Sequence, residues 1–263
     1  MSPAGAPAAA CTPACVARSA AEVPPAELAR RYAALTYEIG LAVAQGDRLA
    51  RPGAVRARAR GILDALGVRL DAGQERLTVA GPGPGTLIVA NHISWLDVVS
   101  LLAVEPVTVL AKREVGRWPV VGTLARRAGS QFIDRDGLRQ LPRAVAELAS
   151  TLRSGQSVLV FPQATTWCSV AGGRFRRATF QAAADAGAPV RPVAIRYYRH
   201  GVPSTTAAFL GEETFGASLH RVVRARGLAV RVTAHAPLHG SDRRELAAEA
   251  QAVIGAREAP AHV

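Results

Sequence analysis

Apolar positions change their period near residue 67. Between 26 and 67 they fall at helical spacing: Leu28, Tyr32, Leu35, Ile39 and Val43 recur every three or four residues, so one face of a helix is apolar. Pro52-Gly53 interrupts the pattern. A second helical stretch follows, with Val55, Ile62, Leu63 and Leu66 beside Arg56, Arg58 and Arg60, while Arg30 and Arg31 flank the first stripe. From 68 onward short apolar runs alternate with helical stretches. The runs 87–90, 107–110, 131–133, 157–161, 190–197 and 228–234 predict buried strands. Residues 96–104, 120–128, 138–152 and 178–186 predict helices between them, and 241–256, opening on Ser-Asp, a C-terminal helix. Strands alternating with helices predict an α/β fold, a mostly parallel central sheet flanked by helices, with a basic two-helix appendage at the N-terminus. The Ala/Pro-rich stretch 1–25, ending in Pro24-Pro25, reads as a disordered leader. Three segments result: leader 1–25, basic helical region 26–67, and an α/β domain over 68–263. The helical pair has two readings, an amphipathic layer on a membrane surface or a cap on the main core.

Composition narrows the class. With 263 residues, 49% of them hydrophobic and 20% charged, the chain can bury a substantial core. Three cysteines are too few for a disulfide scaffold, and Cys11 and Cys15 have no histidines near them in sequence, which argues for a reduced compartment and against a zinc site. The 32 basic residues outnumber 20 acids for a net charge of +12, and Lys112 is the only lysine. Such a surface attracts polyanions: nucleic acid, anionic headgroups or phosphorylated substrates. No recognition helix, zinc motif or aromatic RNA-binding signature is present, which excludes a nucleic-acid partner. A spanning helix needs about 20 apolar residues. The strongest apolar stretch, 33–44, is broken by Glu38 and stopped by Gln45-Gly46-Asp47, and no secretory signal opens the chain. The expectation is a peripheral protein on the cytoplasmic face of the cell membrane, held by an anionic surface.

Candidate chemistry sits after the 87–90 strand, in Asn91-His92-Ile93-Ser94-Trp95-Leu96-Asp97. Asp97 can fold back, accept a hydrogen bond from one ring nitrogen of His92 and fix its tautomer. The other nitrogen is then available to take a proton from a substrate hydroxyl. By spacing alone a structural histidine at a strand end is the better reading.

Four ordered blocks change that balance. Asn91, His92 and Asp97 match N-H-x-x-x-x-D. Gly129-Ser130-Gln131-Phe132-Ile133-Asp134-Arg135 matches G-x-x-F-I-x-R. Phe161-Pro162-Gln163-Ala164-Thr165 approximates F-P-E-G-T, and Val190-Arg191-Pro192-Val193-Ala194-Ile195 is an apolar strand around a proline. With Ala111-Lys112-Arg113-Glu114 and Trp118-Pro119-Val120-Val121-Gly122 between the first two, residues 85–200 resemble the glycerolipid acyltransferases, the lysophosphatidic acid acyltransferase group.

The resemblance implies His92 as general base and Asp97 as its orienting carboxylate. It implies an acyl thioester donor, acyl-CoA or acyl-carrier protein, and a lyso-lipid acceptor, with no metal and no cofactor. Arg135 would bind the acceptor's phosphate with help from Lys112 and Arg113, while Asn91, Gln163 and Thr165 would join the substrate site. The leading acceptor is 1-acylglycerol 3-phosphate, giving phosphatidic acid. Another lyso-lipid such as lyso-ornithine lipid, or a non-catalytic lipid-binding homologue, are the alternatives. The third block departs from the pattern: Gln163 replaces the usual glutamate and Ala164 the usual glycine, and Thr166 follows where an arginine is common. Gln163 would then report on the acceptor, and Ala164 would be strained if its φ is positive.

Overall fold

The computed structural model describes residues 11, 15–16, 22–133, 141–168, 172–211 and 213–256. Its centre is an eight-stranded sheet. The strands are β1 (Arg69–Ala72), β2 (Leu87–Ala90), β3 (Thr108–Lys112), β4 (Gln131–Ile133), β5 (Val158–Val160), β6 (Val190–Arg199), β7 (Val202–Pro203) and β8 (Leu228–Ala234). The order is β1-β8-β6-β2-β5-β3-β4, with β7 paired to β6. Strands β6, β2, β5, β3 and β4 run parallel. β8 lies antiparallel to β6 and carries β1 parallel to itself. The mostly parallel sheet expected from the alternating pattern is present. β2 is its middle: all four of its residues are buried, as a continuous apolar run requires when helices cover both faces.

Helices α1 (Pro25–Ala44) and α2 (Pro52–Leu66) precede the sheet; α3 (Leu96–Val104), α4 (Arg113–Gly116), α5 (Pro119–Arg127), α6 (Leu141–Arg153) and α7 (Ala178–Ala186) connect its parallel strands; α8 (Phe215–Arg224) and α9 (Arg243–Gly255) follow. α3 and α7 have the predicted bounds. β1, α4 and α8 were not anticipated. β1 is a four-residue polar edge, Arg-Leu-Asp-Ala, defined by its pairing to β8. α8 is capped by Thr214, whose hydroxyl accepts from the Ala217 amide.

The N-terminal pair caps the core. α1 packs on α2 and α2 on α3, and Leu28, Tyr32, Leu35 and Ile39 turn inward. Arg31, expected beside a membrane, is buried instead. Its Nη1 donates to the carbonyls of Leu66, Val223 and Ala225, each at 2.9 Å, and its other nitrogens bind Glu27. Gly67 ends α2 at φ +69°, where a Cβ would strike the Arg31 guanidinium. Arg58 is bound to Glu38 at 2.6 Å, and Arg60 donates to the Ala103 carbonyl. Of the five arginines along the pair, Arg31 is buried and Arg58 half-buried, while Arg30, Arg56 and Arg60 stay exposed, Arg60 with one hydrogen bond to the fold. Within 1–25, the described residues lie against the domain. Val16 is buried in the core, the Cys11 and Cys168 sulfurs are 2.7 Å apart, and Glu22 bridges to Ala225.

Candidate active site

β2, β3, β4 and β5 all end on one rim of the sheet, and the loops leaving that rim carry the candidate residues. The loop after β2 folds back because α3 starts at once. The Asp97 carboxylate, in the first turn of α3, accepts from the Ile93 and Ser94 amides at 2.7 and 2.9 Å, closing a tight turn. The same oxygen, Oδ2, accepts from His92 Nδ1 at 2.9 Å. Asp97 is fully buried, whereas the His92 side chain keeps 21% of its exposure. The imidazole is thereby held in one tautomer with Nε2 left to meet a substrate proton.

The loop after β5 holds the histidine at three points. Its ring stacks on Phe161, just beyond β5, with centroids 4.1 Å apart and planes inclined 21°. Its backbone N–H donates to Gln163 Oε1 at 2.8 Å, and its carbonyl accepts from the Trp167 amide at 2.8 Å. Phe161 and Gln163 are buried.

The structure distributes the predicted site residues unevenly. His92 and Asp97 come together as described. Lys112 lies at the exposed C-terminal end of β3 on the same rim, and Thr165 is exposed on the β5 loop. Arg135 lies outside the described residues. Asn91 and Gln163 spend their side-chain hydrogen bonds on the protein's own backbone. Asn91 is fully buried, and its carboxamide exchanges two hydrogen bonds with the Ile195 backbone, accepting from N at 2.8 Å and donating to O at 3.0 Å. It thereby joins the end of β2 to β6. Gln163 gives its carbonyl to His92 and points its amide nitrogen at the Gly173 carbonyl, 3.4 Å away. Beside it Ala164 adopts φ +62°, the left-handed region that a glycine occupies without strain. The rim therefore keeps the strained turn of the resembled motif without its glycine.

One contact was not foreseen. Tyr197 of β6 is buried and donates its hydroxyl to Asp97 Oδ1 at 2.7 Å. Burial, then the neighbouring Asp97 charge, push the phenol's pKa well above its ordinary value, so it acts as a neutral donor. The available signal was a polar-tipped aromatic within an aliphatic strand, since a buried tyrosine hydroxyl must find a partner. Among the described residues, no cluster of three His, Cys, Asp or Glu side chains is placed to hold a metal ion.

Comparison with known proteins places this geometry in context. The family model described as Acyltransferase matches residues 71–196. A 1-acyl-sn-glycerol-3-phosphate acyltransferase of Neisseria meningitidis is 37% identical over 177 residues, 66% of this chain and 67% of that protein. A lyso-ornithine lipid O-acyltransferase of Pseudomonas aeruginosa is 38% identical over 181 residues, 68% of this chain and 70% of its own length. The crystal structure of the 1-acyl-sn-glycerophosphate (LPA) acyltransferase PlsC from Thermotoga maritima shares the fold, with a TM-score of 0.59 and 16% identity. It aligns with 89% of this chain, across 97% of its own.

Proposed function

The chain belongs to the acyltransferase family, and from that premise we propose that it moves a fatty acyl group from a thioester, acyl-CoA or acyl-carrier protein, to the hydroxyl of a lyso-lipid at a membrane surface. The observation that carries this reading is the His92–Asp97 pair, 2.9 Å apart at the rim of a parallel sheet, with the histidine accessible and the carboxylate buried. His92 Nε2 takes the acceptor's hydroxyl proton as the oxygen attacks the thioester carbonyl. A C–O bond forms, the C–S bond breaks, and the thiolate leaves with the proton returned by His92. Asp97 keeps the ring oriented and balances the imidazolium between the two transfers. No protein nucleophile is required.

Two acceptors are carried forward. Lys112 on the rim and Arg135 beyond β4 suit the phosphate of 1-acylglycerol 3-phosphate, the acceptor named in the Neisseria relative. The similar identity to a lyso-ornithine lipid enzyme supports lyso-ornithine lipid as the second. The deciding experiment is acyl transfer by the purified chain to both acceptors, with each thioester donor. Transfer to neither acceptor from either donor would refute the proposal.

Charge and exposed apolar side chains support the membrane surface. Among the described residues no helix is long and apolar enough to cross a membrane. The chain carries a net charge of +12. Tyr37, Val43 and Val120 are exposed, and α5 is tied to the end of α1 by Arg127, which donates to the Val43 carbonyl. Peripheral attachment at the cytoplasmic face is the proposed arrangement. Co-sedimentation with anionic vesicles should weaken in a Val43→Asp/Val120→Asp variant; unchanged binding would move the contact elsewhere.

A further inference from the structure

Asp97 stands out among the buried acids because, among the described residues, no arginine or lysine is paired with it. It is fully buried, and its donors include His92 Nδ1, the Ile93 and Ser94 amides and the Tyr197 hydroxyl. Three of the four converge on Oδ2. Tyr197 alone among them serves Oδ1. A buried carboxylate with an unserved oxygen either takes up a proton or leans harder on its remaining partners. We infer that Tyr197 is a positioning residue of the reaction: its hydroxyl holds Asp97 ionised and correctly aimed, and so sets the pH at which the His92–Asp97 pair becomes a competent base. This rests on the acyl-transfer reading of the same site.

The surroundings support an electrostatic rather than a merely space-filling part. Tyr197 comes from β6, on the far side of Asp97 from His92, so the carboxylate is clamped between a solvent-reaching donor and a buried one. Ser94 and Ser100 lie close to the Tyr197 hydroxyl. His92 and Tyr197 are the titratable side chains bonded to Asp97 among the described residues. Of the charged groups on elements packed on α3, Arg60 of α2 reaches the Ala103 carbonyl, and Glu105 follows the last turn of α3. Both are at the opposite end of the helix from Asp97.

Loss of the hydroxyl destabilises the deprotonated pair relative to the protonated one. Both available relaxations have the same sign: a more basic Asp97, or a tighter hold on the imidazolium, each favour proton uptake. The acid limb of the activity profile must therefore move to higher pH. One hydrogen bond to a charged group corresponds to about a tenfold change in proton affinity, hence a shift of about one pH unit.

The test is the pH profile of kcat and KM for acyl transfer by wild type, Tyr197→Phe and His92→Ala. Phenylalanine keeps the ring and removes only the hydroxyl, and circular dichroism with thermal melting confirms folding. The expected result for Tyr197→Phe is an acid limb displaced upward by about one unit, kcat about tenfold lower on the acid limb and converging on the parent's at high pH, and KM within about twofold of the parent. In an Asp97→Asn background the same change should alter the rate by less than about twofold, because the pair no longer carries the charge. A profile that overlays the parent's after scaling overturns the inference while leaving the function standing, provided His92→Ala is inactive. A wild type inert on every lyso-lipid overturns the function and this inference with it.

Discussion

Two buried charged side chains, Asp97 on the rim and Arg31 in the N-terminal hairpin, are satisfied in much the same way and do different things. Each is almost or wholly excluded from water, and each combines partners close in sequence with one or more from a distant part of the chain. Arg31 ends on backbone carbonyls and Glu27, so its bonds fasten α1 to α2 and to the end of α8. The bonds of Asp97 pass through His92 to a ring that water and substrate can reach. Burial and saturation alone do not separate structure from catalysis. What separates them is whether the chain of contacts ends at an accessible, titratable group.

The comparison breaks most visibly at Asp97. Asp97→Asn should lower kcat by roughly 10²–10⁴-fold, since the amide cannot hold the imidazole in the required tautomer or balance its charge. Thermal stability should change far less than activity. Rate measurements beside melting curves check this, and a fully active Asp97→Asn would remove the carboxylate from the mechanism.

Arg31 should fail in the opposite manner. Arg31→Met leaves three carbonyls unpaired and should cost about 3 kcal/mol of stability. Activity per folded molecule at low temperature should stay near the parent's. Denaturant unfolding paired with active-fraction measurement separates the two, and a loss of turnover without loss of stability would give the hairpin a catalytic part.

Gln163→Glu sharpens the comparison within the rim itself. The carboxylate still accepts from His92 N–H but turns its second oxygen toward the Gly173 carbonyl. A fall in kcat/KM of about two- to fivefold is expected, equal for every acceptor. A change in acceptor preference would instead show that this side chain meets substrate.

The smallest effect is at Ala164. Ala164→Gly relieves the left-handed strain at φ +62° but adds freedom to the unfolded chain. The balance should raise Tm by roughly 2 °C. A lower Tm would mean that the turn is not strained.

How much of this was legible beforehand follows from the range of the interactions. β2, α3 and α7 announced themselves because their apolar patterns are local and unbroken. β1 did not, because Arg69–Ala72 is a strand only through β8, far along the chain. α8 was legible and went unpredicted: Phe215, Leu219, Val222 and Val223 fall on one helical face. His92 and Asp97 were readable from five-residue spacing within ordered blocks. The parts of Asn91 and Gln163 were not, because motif membership does not say whether a side chain faces substrate or the neighbouring backbone. Tyr197 is 100 residues from Asp97, and Arg31 binds carbonyls up to 194 residues away. Neither partnership leaves a local pattern.

The central claim is that His92 is the base that activates a lyso-lipid hydroxyl. Its most direct test is acyl transfer from a radiolabelled thioester by purified His92→Ala beside the parent, on 1-acylglycerol 3-phosphate and lyso-ornithine lipid. The account predicts a folded variant whose turnover on the parent's preferred acceptor falls by at least about 10²-fold. A His92→Ala protein that acylates that acceptor at the parent's rate would contradict it.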